Sequence, residues 1–343
     1  MKAICIYVDR GEEYKATANL ICNMLNEAGH EAVVEELFDY LDIKWLDTFL
    51  SFIKRIIIKL KINPTSSWEL DRLIKFANKH CTLAFKSNLE EAPTNLFICV
   101  HPYASHLITE LRKTTKINGL SVCYYETRFF SINKNTINND IDKFFISTEQ
   151  GAEEARIIGQ NESTISLAPL LLPEVNDLVI NDRKENNKVR ILYDMKDDKV
   201  NLSKLIKKDI NAEFLLFNIN QDKIKKLKAE ASKCKHLKLT FLNNDIKNKY
   251  NLFLNTDIII GPSDRRAMLI ALYLKKAYFL TEKKKKNSDI TNFIIENNLG
   301  LILPSNNDKQ VEEINNFIRS NKSSFDGLNF NSSSFISQLS MLC

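Results

Sequence analysis

Twice along this chain, six apolar runs of strand length alternate with segments of helical period, and this repeated alternation restricts the fold more than any motif does. Strands that read as unbroken apolar runs, each separated from the next by a longer amphipathic stretch, belong to parallel sheets covered by helices on both faces. The first set occupies 3–8, 31–35, 95–100, 120–125, 143–147 and 164–168, with helical stretches notably at 13–28, 105–114 and 150–158. The second occupies 189–193, 213–218, 236–242, 256–260, 277–281 and 300–303, with a final helix near 311–319. Between the sets lies NDRKENN (181–187), the composition of an exposed linker. The pattern predicts an α/β protein of two doubly wound lobes, 1–175 and 189–321, joined by a linker at 176–188. A Ser/Asn-rich tail at 322–343 offers little to pack. In such sheets ligands sit beyond the carboxyl ends of the strands, so the loops after Val8, Val100, Tyr193 and Ile260 are where chemistry is expected.

Glycine usage narrows the chemistry. The chain has 8 glycines in 343 residues, where average usage would give about 24. No window holds a G-x-G-x-x-G dinucleotide loop or a G-x-x-x-x-G-K-[ST] phosphate loop. Phosphate, if bound, must therefore be held by helix N-termini and side chains. Seven cysteines without a C-x-x-C pair read as reduced, buried thiols, and the Cys234-Lys235-His236 run reads as solvent-facing rather than as a thiolate pair. His101 and His106 have no third ligand near them in sequence, which argues against a metal, and G-x-S-x-G is absent. A net charge of +5 is too small to imply nucleic acid. The opening Met1-Lys2 leads straight into a strand rather than a signal sequence, so cytoplasmic residence is expected.

One segment departs from the alternation. Residues 42–62 place Leu46, Phe49, Leu50, Ile53, Ile56, Ile57 and Leu60 at helical spacing, with Lys44, Lys54, Arg55, Lys59 and Lys61 around the other side. Its charges are too closely spaced for a membrane span. A basic amphipathic helix of this kind either packs on its lobe or lies in the interface of an anionic membrane.

Four stretches carry a family likeness: 1–41, LFICVHPYASHLITELRK (96–113), 142–174 and TDIIIGPSDRRAMLIALYLKKAYFLT (256–281). Their layout, with His101-Pro102 after a strand as the best local match, resembles GT-B glycosyltransferases, whose two Rossmann-like lobes face a cleft. Within them it resembles the branch of monogalactosyldiacylglycerol synthases, processive diacylglycerol glucosyltransferases and MurG-like enzymes. The resemblance implies an inverting, metal-independent hexosyltransferase with a UDP-sugar donor, no further cofactor, and a diacylglycerol-type or other membrane-associated acceptor. It would be peripheral on the inner face of the cell membrane. In family terms Glu13 stands where a turn's histidine activates the acceptor, and His101 is the second candidate catalytic residue. Gly261, Ser263, Arg265 and Arg266 occupy the donor's diphosphate turn, where Ser263 is expected to cap the helix. Trp45, Phe49, Ile53, Lys54 and Arg55 would meet acceptor or membrane. Glu126 and Arg128 follow the fourth strand where the family often has Thr-Asp.

The chain also departs from that pattern. The first turn reads Asp9-Arg10-Gly11-Glu12-Glu13, Asp264 brings negative charge to the diphosphate turn, and 282–289 reads EKKKKNSD in place of a polar sugar loop. The alternative is thus a degenerate member acting as a binding or scaffold protein, in partnership with an active transferase. A third possibility is an epimerase-like member of the same broad superfamily.

Overall fold

The computed structural model describes residues 1–43, 66–128, 132–172, 188–195, 200–242, 250–281, 289–320 and 332–342. Contacts divide the chain into two compact units, Met1–Pro173 with Gly327–Cys343, and Glu174–Asp326. The first contains β1 (Lys2–Tyr7), β2 (Glu31–Glu36), β3 (Leu96–Cys99), β4 (Ser121–Tyr125), β5 (Lys143–Ile146) and β6 (Ile165–Leu167). The second contains β7 (Val189–Asp194), β8 (Ala212–Phe217), β9 (Lys238–Phe241), β10 (Ile258–Gly261), β11 (Ala277–Leu280) and β12 (Gly300–Ile302). Every pairing is parallel. The architecture is therefore the α/β arrangement that the alternation predicts. Its physical basis is burial of both sheet faces: every residue of β3 (LFIC), β8 (AEFLLF), β10 (IIIG) and β11 (AYFL) is buried.

Strand order fixes where ligands can enter. The first sheet runs β2-β1-β3-β4-β5-β6 and the second β12-β11-β10-β7-β8-β9. The direction of winding reverses at β1/β3 and at β7/β10, and the loops leaving each such pair diverge to leave a crevice. Helices Glu12–Glu27 and Pro102–Thr115 begin at the first reversal, and helix Arg265–Tyr273 begins at the second. Helix Glu12–Glu27 is held against the sheet by Thr17, Ala18, Leu20, Ile21, Cys22 and Leu25, an i, i+3, i+4 stripe.

The C-terminal segment corrects an expectation. Residues 332–340 form a helix that packs within the first unit, burying Phe335 and Leu339 completely. Its Ser/Asn composition obscures the signal, yet two large apolar residues four apart form one face. Two glycines serve packing at Tyr278. A Cβ on Gly261 would come within 2.7 Å of the Tyr278 hydroxyl, and one on Gly300 would run into the Tyr278 carbonyl oxygen.

Among the described residues no helix is long and apolar enough to cross a membrane. Apart from Asp42 and Ile43, the amphipathic stretch 42–62, with Trp45, Phe49, Ile53, Lys54 and Arg55, lies outside the described residues. So do the NDRKENN stretch and the lysine run 283–286.

Candidate functional site

At the first reversal point, β1 runs into a tight loop in which the Arg10 amide donates to the Val8 carbonyl (2.7 Å) before Gly11 opens the helix. Glu36, at the end of β2, ties this loop down. One carboxylate oxygen accepts the Asp9 amide (3.3 Å), and the other accepts the amides of Phe38 (2.7 Å) and Asp39 (2.9 Å). Burial pushes the Glu36 carboxyl up despite these bonds.

After β3 the chain reaches His101, the extended N-cap residue of helix Pro102–Thr115, with Pro at its favoured first position. The imidazole Nδ1 accepts the Tyr103 amide at 3.1 Å. A neutral imidazole has one donor and one acceptor, so the proton must sit on Nε2. Tyr14 and Tyr103 meet the ring edge-on at centroid distances of 4.8 and 4.9 Å. The Arg10 guanidinium lies over the Tyr103 ring at 4.8 Å. Burial first, then the charges of Arg10 and Arg128, lower the His101 pKa to about 3. The imidazole is therefore a neutral hydrogen-bond donor at physiological pH, and its acceptor nitrogen is already engaged.

Glu126 follows β4 and is buried. It accepts the Tyr124 hydroxyl at 3.1 Å and the Arg128 amide at 2.9 Å, which fixes the turn carrying Arg128. Glu13 is exposed in the first turn of its helix, where the dipole favours a carboxylate. Arg10, Tyr14 and Tyr103 were not singled out by sequence reasoning. Only the topological reversal links Arg10 and Tyr14 to His101, because they follow β1, whereas Tyr103 stands two residues beyond His101 in the helix that it caps.

In the second unit the helix cap differs from expectation. Asp264, rather than Ser263, caps Arg265–Tyr273, its Oδ1 accepting the amides of Arg266 (3.0 Å) and Ala267 (3.2 Å). Asp and Ser cap about equally well, so sequence preference does not separate these neighbours. The Tyr278 hydroxyl donates to the Pro262 carbonyl at 2.9 Å. Burial, Asp264 and Asp194 all push that phenol up, so two carboxylates act on the β7/β10 crevice. A cavity of about 30 Å³ lined in part by Asp194, Gly261, Asp264 and Tyr278 lies there. That is the volume of one water rather than of a nucleotide. A larger cavity, about 310 Å³, is lined by Met195, Asn201, Ser203, Lys223, Lys226 and Asn307 among others.

The remaining candidates have structural partners. His106 Nε2 meets the Asn135 carbonyl at 3.0 Å. The Cys234 thiol donates to the Ile206 carbonyl (3.2 Å) and the His236 amide to Asp209 (2.8 Å). Among the described residues no three His, Cys, Asp or Glu side chains gather as a metal would require.

Two all-parallel six-stranded sheets with these reversal points define the class of two-lobed α/β proteins to which GT-B glycosyltransferases belong. Solved structures share the fold over the whole chain. The UDP-GlcNAc 2-epimerase of Neisseria meningitidis, bound to UDP-GlcNAc, is similar at 12% identity and a TM-score of 0.58, covering 99% of this chain and 100% of its own. MurG of Acinetobacter baumannii is similar at 9% identity and a TM-score of 0.54, covering 99% of each chain. Residues 9–169, nearly the whole of the first lobe, match the family model of monogalactosyldiacylglycerol (MGDG) synthase. In fold and in the sequence of its first lobe the chain is similar to GT-B glycosyltransferases of the MGDG synthase and MurG type. No curated protein gives a significant match to the sequence.

Proposed function

We propose that this protein transfers a hexose from a UDP-sugar to the free hydroxyl of a diacylglycerol-type lipid, working peripherally on the inner face of the cell membrane. The observation that carries the reading is the match of the first lobe to the MGDG synthase family, with the Tyr14–His101–Tyr103 cluster at that lobe's reversal point. The acceptor oxygen attacks the anomeric carbon, the bond from that carbon to the diphosphate breaks, and its electron pair leaves with UDP, inverting the centre. The acceptor's proton passes to Glu13, an exposed carboxylate at a helix start. His101 cannot take it, since Nδ1 is engaged and Nε2 already carries a proton. Its part is to donate a hydrogen bond to the acceptor. Basic side chains, rather than a metal, stabilise the leaving diphosphate; Arg265, Arg266 and the lysines of the larger cavity are the candidates.

The test is an incubation of the protein with radiolabelled UDP-glucose or UDP-galactose and vesicles containing diacylglycerol. Label is expected in the organic phase, with kcat falling about 100-fold in Glu13→Gln. Absence of lipid-soluble label with the unaltered protein would sink the reading.

A second reading, a binding or scaffold protein partnering an active transferase, is favoured by one observation: Asp264 places its own carboxylate on the amides at the diphosphate turn. Calorimetry with UDP separates the two. Saturable micromolar binding that weakens when Arg265 and Arg266 become Ala supports transfer, whereas no heat at millimolar UDP supports the scaffold. Asp264→Asn keeps a cap and removes the charge, and is expected to tighten UDP binding about tenfold.

A further inference from the structure

Successive residues of a strand face opposite sides of its sheet, so β1 divides its side chains between two cores. Ile4 and Ile6 belong to one, while Ala3, Cys5 and Tyr7 belong to the other, which also holds the inner stripe of helix Glu12–Glu27, Cys22 included. Cys5 is thus the middle residue of β1 on the side of that helix, and its thiol hydrogen-bonds to Cys22. Both cysteines are reduced. The Cys22 sulfur is held in place by two further groups, donating to the Ala32 carbonyl at 3.2 Å and accepting from Asn26 Nδ2 at 3.5 Å. Asn26 is itself fixed on Ala32, its Nδ2 donating to the carbonyl (3.1 Å) and its Oδ1 accepting the amide (2.8 Å).

The two thiols are unequal. Cys5 is wholly buried and Cys22 is 7% exposed, so a small oxidant meets Cys22 first. The hydrogen bond from Cys5 brings the Cys22 thiol down to about 7 against the opposing effect of burial, with Asn26 as a second donor. On ionising, Cys22 gives up its bond to the Ala32 carbonyl and keeps both donors. The same bond, together with burial, pushes the Cys5 thiol well up. The more exposed Cys234 is also pushed up, by desolvation and by Asp209. Since the thiolate is the reacting form, Cys22 is the attacking sulfur and Cys5 the resolving one.

We propose that Cys5 and Cys22 are a redox-active pair, which a peroxide oxidises to a disulfide joining β1 to helix Glu12–Glu27. The Cys22 sulfur attacks a peroxide oxygen, the O–O bond breaks, and hydroxide leaves with its electron pair, taking up the proton that Cys22 had released to become water. Cys22 is then a sulfenic acid. The Cys5 sulfur displaces the sulfenic hydroxyl, the S–S bond forms, and the Cys5 proton departs with that oxygen as a second water. Two thiols are oxidised and one peroxide is reduced. The bond closes residues 5–22, with the Asp9–Glu13 turn between them, into one ring. It goes beyond sugar transfer, because it needs neither donor nor acceptor.

The test uses the full chain without either substrate, so failure of the transfer assay leaves its outcome unaffected. The protein is treated with a large excess of hydrogen peroxide, remaining thiols are alkylated in urea, and tryptic peptides are weighed. Cys5 and Cys22 fall in separate peptides, 3–10 and 16–44. The bridge is therefore expected as the sum of the two less two hydrogens, and it should vanish with dithiothreitol. Cys5→Ser is expected to stop Cys22 at the sulfenic acid, which dimedone traps, and Cys22→Ser to slow oxidation of Cys5 by about tenfold or more. Recovery of Cys5 and Cys22 as alkylated thiols, or a bridge from Cys22 to any other cysteine, overturns the proposal. Should the variants misfold, the peptide map of the unaltered protein decides.

Discussion

Phe335→Ala is expected to lower the stability of the first lobe by about 4 kcal/mol, the usual range for emptying a phenyl group from a packed core being about 3–5. Phe335 is fully buried and meets Phe145 edge-on at 4.9 Å and 89°, with Tyr125 at 5.8 Å and 60°. Both partners stand on central strands of the first sheet, β5 and β4, so the lost contact lies over the sheet rather than at a fraying edge. The helix carrying Phe335 is oriented by polar contacts: His30 Nε2 with the Ser340 hydroxyl at 3.0 Å, and the Ser121 hydroxyl donating to the Leu342 carbonyl at 2.6 Å. These exposed or half-buried bonds cannot replace the phenyl, since each contributes only about 1 kcal/mol. Helix Ser66–His80 of the first unit carries Trp68, so urea unfolding followed by tryptophan fluorescence reports on this lobe. A change below about 1 kcal/mol would mean that the C-terminal helix does not contribute to the first core.

The helix around Phe335 also shows where the sequence ceases to be legible. Parallel strands such as LFIC, IIIG and AYFL announce themselves because both faces are buried, and so the run has no polar interruption. Helix Thr82–Glu91 gives no comparable signal, as it buries only Phe85 and leaves Leu83 83% exposed. Helix Ser332–Ser340 is short and Ser-rich, and its two apolar residues acquire meaning only once β4 and β5 are in place to receive them. The candidate site divides in the same way. His101 is visible because a strand ends and a Pro follows it, but its tautomer depends on a backbone amide two residues on, and its charge state on Arg10 and Arg128, 91 residues before and 27 after. Which of Ser263 and Asp264 caps a helix is likewise settled by backbone geometry, with Asp264 extended at φ −101° and ψ 112°.

Acid is expected to destabilise the first lobe through His101 in a way that a single substitution isolates. The folded-state pKa is about 3, lowered by burial first and by Arg10 and Arg128 next, against about 6.5 in an unfolded chain. Above pH 6.5 neither state binds the proton and the imidazole makes no pH-dependent contribution. As pH falls from 6.5 toward 3 the unfolded chain takes up a proton that the folded lobe refuses, so stability is lost at up to about 1.4 kcal/mol per pH unit. At about pH 4.5 the loss attributable to His101 comes to about 3 kcal/mol. Carboxylates also titrate over this interval, but they do so in any variant. His101→Asn retains a side chain able to cap helix Pro102–Thr115 while removing the titrating group. Urea unfolding at about pH 7.5 and 4.5 should show the unaltered protein losing about 3 kcal/mol more than His101→Asn. Equal losses would mean that the imidazole accepts a proton in the folded state. It would then be available as a base, and the assignment of proton acceptance to Glu13 would lose its main support.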